Sequence, residues 1–276
     1  MNIVVAKSAG FCRGVTRAVR KAQELARESR VIVHTDGPLI HNEQVMADLR
    51  AQGIEATDAP ELLTGGTLLV RAHGISPQRR QMLKRLPVRL VDATCPDVGR
   101  SQGLVQKHAR QGYATIIFGD PGHAEVVGLL GCADEKGFVV TSPDDVARLP
   151  DLRPVCLCAQ STQFPDDYEA IAAAVRARFP DAVVLNTICE ATRRRQSELI
   201  EIARRVDAVV VVGSEHSANT RRLVELARRH TRALLVPTAD QLRPEDLSGC
   251  RTVGLTAGAS TPEDIIDAVR RRLEAM

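Results

Sequence analysis

The chain has 276 residues, 44% of them hydrophobic and 26% charged. That composition excludes a wholly disordered chain and leaves room for one large domain or two ordinary ones. Lys and Arg number 37 against 34 Asp and Glu, a net charge of +3, and there is no Trp, so nothing predicts a nucleic-acid partner through a basic surface or a base-stacking platform.

In chain order, short β-branched runs predict strands at 3–6, 31–34, 67–71, 89–93, 114–118, 138–141, 155–159, 183–186, 208–212, 233–237 and 252–256. Amphipathic stretches between them predict helices, among them 16–26, 193–205 and 265–273. Strands that read as near-continuous apolar runs and alternate with helices indicate an α/β fold with parallel sheets covered on both faces. No apolar run approaches the ~20 residues of a membrane helix. The start, MNIVVAKSAGFC, has no basic region followed by a signal-length apolar core. The expectation is a cytoplasmic protein with no membrane partner.

A loose internal repeat carries more information than any single element. Cys12 in AGFCRGV, Cys95 in DATCPDV and Cys189 in NTICEAT each follow a predicted strand and precede a predicted helix. After each comes a polar loop: GPLIHN with His41, GDPGHAE with His123, and GSEHSAN with Ser217. A second follows each of those: RAHGIS with His73, AQSTQF with Ser161, and TAGAST with Ser260. The order of cysteine loop and two polar loops thus occurs three times, as expected of three small α/β units of roughly 90 residues, each too small to be comfortable alone. Open α/β sheets place their sites beyond the carboxyl ends of the strands, where all nine loops would lie. Units facing inward would gather the three cysteines, three histidines and several hydroxyls around one central cavity.

The odd count of seven cysteines, without a C-x-x-C pair, argues against a disulfide framework and against a zinc ribbon. Cys132, Cys156, Cys158 and Cys250 lack the strand-to-helix context or sit inside a strand, and read as small buried hydrophobes. The three repeat cysteines are one short of the usual four around an iron–sulfur cluster. A cluster with three protein ligands keeps one iron open, as a catalytic metal requires.

His108 and His230 fall on polar helical stretches and are expected to be solvated; His34, at a strand end, is uninformative. His41, His73 and His123 stand at loop or helix starts. They could bind a metal or donate to phosphate oxygens, and their companions favour the second role. Ser217 and Asn219 in SANT and Ser260 in GAST supply hydroxyls, an amide and helix-start N–H groups, an arrangement suited to an anion such as a diphosphate. The same residues serve equally as helix caps. Glu125 offers a proton donor or relay, or else a first-turn carboxylate complementing the helix dipole; Ser161 and Thr162 would extend a proton path. There is no G-x-x-x-x-G-K-[ST] and no G-x-G-x-x-G after the first strand, so no directly bound nucleotide cofactor is expected and electrons would come from a partner protein.

These loops together resemble the IspH (LytB) family, 4-hydroxy-3-methylbut-2-enyl diphosphate reductases, over essentially the whole chain. The resemblance implies three α/β units in pseudo-threefold arrangement, here 14–96, 97–188 and 189–276, with residues 1–13 completing the third. It implies a 4Fe–4S cluster on Cys12, Cys95 and Cys189 with one iron not ligated by protein. It assigns the diphosphate to His41, His73, His123, Ser217, Asn219 and Ser260, and the proton donor to Glu125. Ser161 stands where members usually carry Thr and keeps the hydroxyl for substrate binding and proton relay. The implied reaction removes an allylic hydroxyl with two electrons and two protons, giving isopentenyl and dimethylallyl diphosphates, the last step of the non-mevalonate pathway. Ferredoxin or flavodoxin would supply the electrons. Departures lie at Ala218 and in the runs Asp97–Gln102 and Glu190–Arg195, beside the cysteines. The residues also admit a diverged paralogue: a reductase or lyase of another diphosphate, or a non-enzymatic iron–sulfur or diphosphate sensor.

Overall fold

The computed structural model describes residues 1–28 and 32–276. Twelve strands run in chain order among them: β1 (Asn2–Val5), β2 (Val33–Asp36), β3 (Ile54–Thr57), β4 (Thr67–Val70), β5 (Arg89–Asp92), β6 (Ala114–Phe118), β7 (Gly137–Val140), β8 (Val155–Ala159), β9 (Val183–Val184), β10 (Ala208–Val212), β11 (Arg232–Val236) and β12 (Thr252–Ala257). The α-helices are α1 (Arg13–Glu28), α2 (Glu43–Ala51), α3 (Pro77–Leu83), α4 (Pro96–Arg110), α5 (Ala124–Cys132), α6 (Pro143–Ala147), α7 (Pro165–Arg178), α8 (Glu190–Ala203), α9 (Ala218–Arg228) and α10 (Glu263–Glu274).

All strand pairing is parallel, in three four-stranded sheets ordered β3-β2-β4-β5, β7-β6-β8-β9 and β11-β10-β12-β1. The three orders are one topology used three times. A first strand pairs with the second on one side and the third on the other, and a fourth strand adds at the edge. In the third sheet the fourth place is taken by β1, whose Val4 lies opposite Gly254. Each sheet therefore reverses its winding between its first and third strands, where an open α/β sheet leaves a crevice at the carboxyl ends.

The chain packs as two compact units. One comprises Met1–Thr16, Ile40–Asp48 and Glu190–Met276 and carries the third sheet. Its core sets Val210, Val253 and Leu255 against Ile266, Val269 and Leu273 of α10. The other comprises Arg17–Leu39 and Leu49–Cys189 and carries the first two sheets. There the period of two in a strand feeds two cores. Ile116 and Leu157 pack with Tyr168, Ile171 and Val175 of α7, while their neighbours Ile117 and Cys158 pack with Val105, Val126 and Leu129. Burial on both faces explains why these strands read as unbroken apolar runs.

Ten of the eleven predicted strands match within a residue or two, and 31–34 is observed as β2, shifted by two residues; Val31 of that run lies outside the described residues. β3 was not predicted. It is an edge strand with only Ile54 fully buried, so IEAT carries no apolar run to read. His108 also departs from expectation: half-buried, its Nδ1 lies 2.8 Å from Leu104 O and its ring meets Tyr113 edge-on at 5.2 Å. His230 is exposed, as expected.

Candidate functional site

The repeat is visible as a repeated hydrogen bond. The cysteine after each fourth strand donates its backbone N–H to the loop after the neighbouring third strand. Cys95 bonds Ala72 O at 2.9 Å, Cys189 bonds Ser161 O at 3.1 Å and Cys12 bonds Ala259 O at 3.1 Å. Each of the three is half-buried and outside any disulfide, immediately before a helix. Cys95 is the N-cap residue of α4 yet makes no side-chain capping bond, and Cys12 Sγ accepts the Val15 N–H at 3.5 Å. Cys132, Cys156 and Cys158, by contrast, are buried. Burial pushes the Cys132 thiol up to about 11 and raises those of Cys156 and Cys158 as well. A half-buried thiol at a helix start suits a soft metal; the buried thiols do not.

In the unit with two sheets, six of the predicted residues form one run of contacts. Cys95 is bonded to the residue before His73. The His73 and His123 rings meet edge-on at 5.5 Å. His123 caps α5 by accepting the Glu125 N–H at Nδ1, 3.2 Å away, which places the neutral ring's proton on Nε2. Glu125 is 2% exposed. Its Oε1 accepts the Ser161 N–H at 2.8 Å and its Oε2 the Ser161 hydroxyl at 2.7 Å. Ser161 O in turn holds Cys189. Behind this run Gln160 donates to Asp120 Oδ2 and accepts the Asp120 N–H at 2.9 Å, and Gln163 donates to Asp120 Oδ1, which stiffens the loops after β6 and β8.

The other unit holds the remaining five. Cys12 is bonded to the residue before Ser260, and the Ser260 hydroxyl donates to His41 O at 3.2 Å. That leaves Ser260 its backbone N–H and its oxygen lone pairs, not its hydroxyl proton, for other partners. Ser217 is the N-cap of α9; its Oγ accepts the Thr220 N–H at 3.3 Å. Asn219 is 6% exposed, and its Nδ2 has no hydrogen-bond partner among the described residues. A buried amide donor left over at a helix start suits an anion. Asn42, not singled out in the sequence, is alike. Its Oδ1 caps α2 through the Val45 N–H at 3.1 Å while its buried Nδ2 has no partner among those residues. The signal was its place beside His41 in GPLIHN.

Glycine geometry ties the two loops of this unit. A Cβ on Gly258 would sit 2.1 Å from Thr220 Oγ1, and Thr220 is fully buried. Gly258→Ala is therefore expected to cost about 1–3 kcal/mol by overpacking. Denaturant unfolding measures it, and adding Thr220→Ala should recover most of the loss; an additive double variant would contradict this contact.

Parallel sheets whose carboxyl-edge loops carry half-buried thiols, unpartnered buried amide donors and a buried acid suit one class of protein, α/β enzymes acting on anionic substrates. Residues 3–274 match the LytB protein family. The chain is 44% identical over 289 residues, the full length of both, to the 4-hydroxy-3-methylbut-2-enyl diphosphate reductase of Opitutus terrae. Against that of Nitratidesulfovibrio vulgaris it is 43% identical over 282 residues, again the full length of both. The solved E-1-hydroxy-2-methyl-but-2-enyl-4-diphosphate reductase of Plasmodium falciparum superposes with a TM-score of 0.94 at 30% identity, covering 98% of this chain and 87% of that one. The chain belongs to the LytB protein family, a family of diphosphate reductases.

Proposed function

We propose that this chain is an iron–sulfur reductase that removes the allylic hydroxyl of 4-hydroxy-3-methylbut-2-enyl diphosphate as water. Two electrons from a ferredoxin- or flavodoxin-type donor and two protons balance the step, and the products are isopentenyl and dimethylallyl diphosphates. The reaction would run in the cytoplasm, which suits seven cysteines outside any disulfide. The observation that carries the reading is the threefold-repeated bond that presents Cys12, Cys95 and Cys189 in one way.

These three would hold a 4Fe–4S cluster. The cluster, when bound, supplies electron transfer and an iron open to the substrate oxygen. The three sheets correspond in this reading to units 14–96, 97–188 and 189–276 completed by 1–13. His41, His73, His123, Ser217, Asn219 and Ser260 bind the diphosphate, His123 through its Nε2–H and Ser260 through its backbone N–H. Glu125 is the proton donor. Its carboxyl and the Ser161 hydroxyl are already one hydrogen bond apart, so a proton moves along them without a side chain rearranging.

Iron and acid-labile sulfide per chain, after anaerobic purification and reconstitution, test this first. About four of each is the expected result. None of either would sink the cluster assignment, and a product formed without consuming two electrons would make the chain a lyase.

A further inference from the structure

We infer that Arg195 and Glu198 of α8 are positioning residues that hold the Cys12 loop in its ligating conformation. The inference rests on Cys12 being a cluster ligand. The loop between β1 and α1 makes a tight path, with Gly10 at φ +95° and a Cβ there only 3.2 Å from Ile266 Cδ1. Four of its backbone groups bind α8. Arg195 donates Nε and Nη2 to Ser8 O at 3.0 and 2.6 Å, and Nη2 also to Gly10 O at 2.6 Å. Three residues on, Glu198 accepts the Lys7 N–H at 2.7 Å on Oε1 and the Ser8 N–H at 2.8 Å on Oε2.

This is more than the loop needs merely to satisfy its amides. Arg195 is 4% exposed, and a guanidinium that far out of water is tolerated only where acceptors surround it. The fork geometry lets one side chain fix two carbonyls two residues apart, which an ammonium cannot copy. Residues i and i+3 share a helix face, so the cation draws in carbonyls and the anion draws in amides of the same turn of chain. Hydrogen bonds to charged groups are the strong ones. The loop ends at Cys12, whose N–H is bonded to Ala259 O, so the backbone that carries its sulfur is held at that end too. α8 itself starts directly after Cys189. The helix behind one cysteine thus sets the loop in front of another.

The test is site-resolved alkylation of the full-length, cluster-free chain, paired with iron release from the reconstituted enzyme to a chelator. In Arg195→Gln, Cys12 should be alkylated about tenfold faster than in the wild type, with Cys95 and Cys189 within about twofold. Arg195→Lys should restore only part of the difference. Glu198→Gln, which keeps one acceptor, is the milder variant if Arg195→Gln does not fold, and should give about a threefold rise confined to Cys12. Iron release should quicken in the same order. An unchanged Cys12 rate, or an equal rise at all three cysteines, overturns the inference, since the second is what general loosening gives. If the wild type holds no iron the cluster reading fails by itself, while the alkylation pattern still decides whether the clamp exists.

Discussion

Glu125→Gln is expected to lower turnover by about two to four orders of magnitude, the usual worth of a positioned general acid, while leaving fold and iron content as they were. The geometry makes this substitution unusually clean. The carboxylate accepts from the Ser161 N–H at one oxygen and from the Ser161 hydroxyl at the other. A glutamine can keep its carbonyl oxygen on the N–H. Its NH₂ can then donate to the serine oxygen, because a hydroxyl accepts as readily as it donates. No buried donor is orphaned, so the stability change should stay under about 1 kcal/mol. What the amide cannot do is give up a proton and take it back. Glu125→Ala would confuse the result. It strands the buried Ser161 N–H, at roughly 1–3 kcal/mol, beside a loop that also holds Cys189. Steady-state turnover with a reduced donor, with iron per chain and melting measured on the same samples, checks the prediction. Wild-type turnover in Glu125→Gln would remove Glu125 from the proton path.

Much of this candidate site is legible in the chain because its residue types recur in short, ordered loops. The cysteine loops, the histidine loops and the hydroxyl loops announced themselves by repetition, and the parallel α/β class followed from strands buried on both faces. What escaped was set by partners distant in sequence. Glu125 reads as a proton donor or as a dipole-complementing first-turn residue, and its two bonds to a residue 36 positions away leave no trace in the sequence. Ser260 reads as an anion donor, but its hydroxyl proton goes to His41 O. Arg195 reads as one of several arginines in a charged helix. Only the fold turns it inward onto carbonyls 185 and 187 positions away. β3 failed for a different reason: an edge strand with one fully buried side chain leaves almost no hydrophobic trace.

Cys95→Ser should abolish stable cluster binding without harming the fold, and the pair of effects is what distinguishes a ligand from a structural thiol. Serine is nearly isosteric. Cys95 is the N-cap of α4 but makes no capping bond with its side chain, whereas serine is among the best N-caps. The backbone bonds at the site, Cys95 N–H to Ala72 O and Gly99 N–H to Cys95 O, involve no sulfur and survive the change. The cluster-free variant is thus expected to melt at or slightly above the wild-type temperature, yet to hold less than about one iron after reconstitution against about four. Cys158→Ser should do the reverse. That thiol is fully buried between Ile117 and the α5 side chains, and burial holds it protonated. Placing a hydroxyl there costs about 1–3 kcal/mol unless a partner is found, but leaves the iron in place. Iron analysis and thermal unfolding on the two variants settle the matter together. Full iron and activity in Cys95→Ser would take the cluster away from this cysteine, and with it the meaning of the bond that the three loops share.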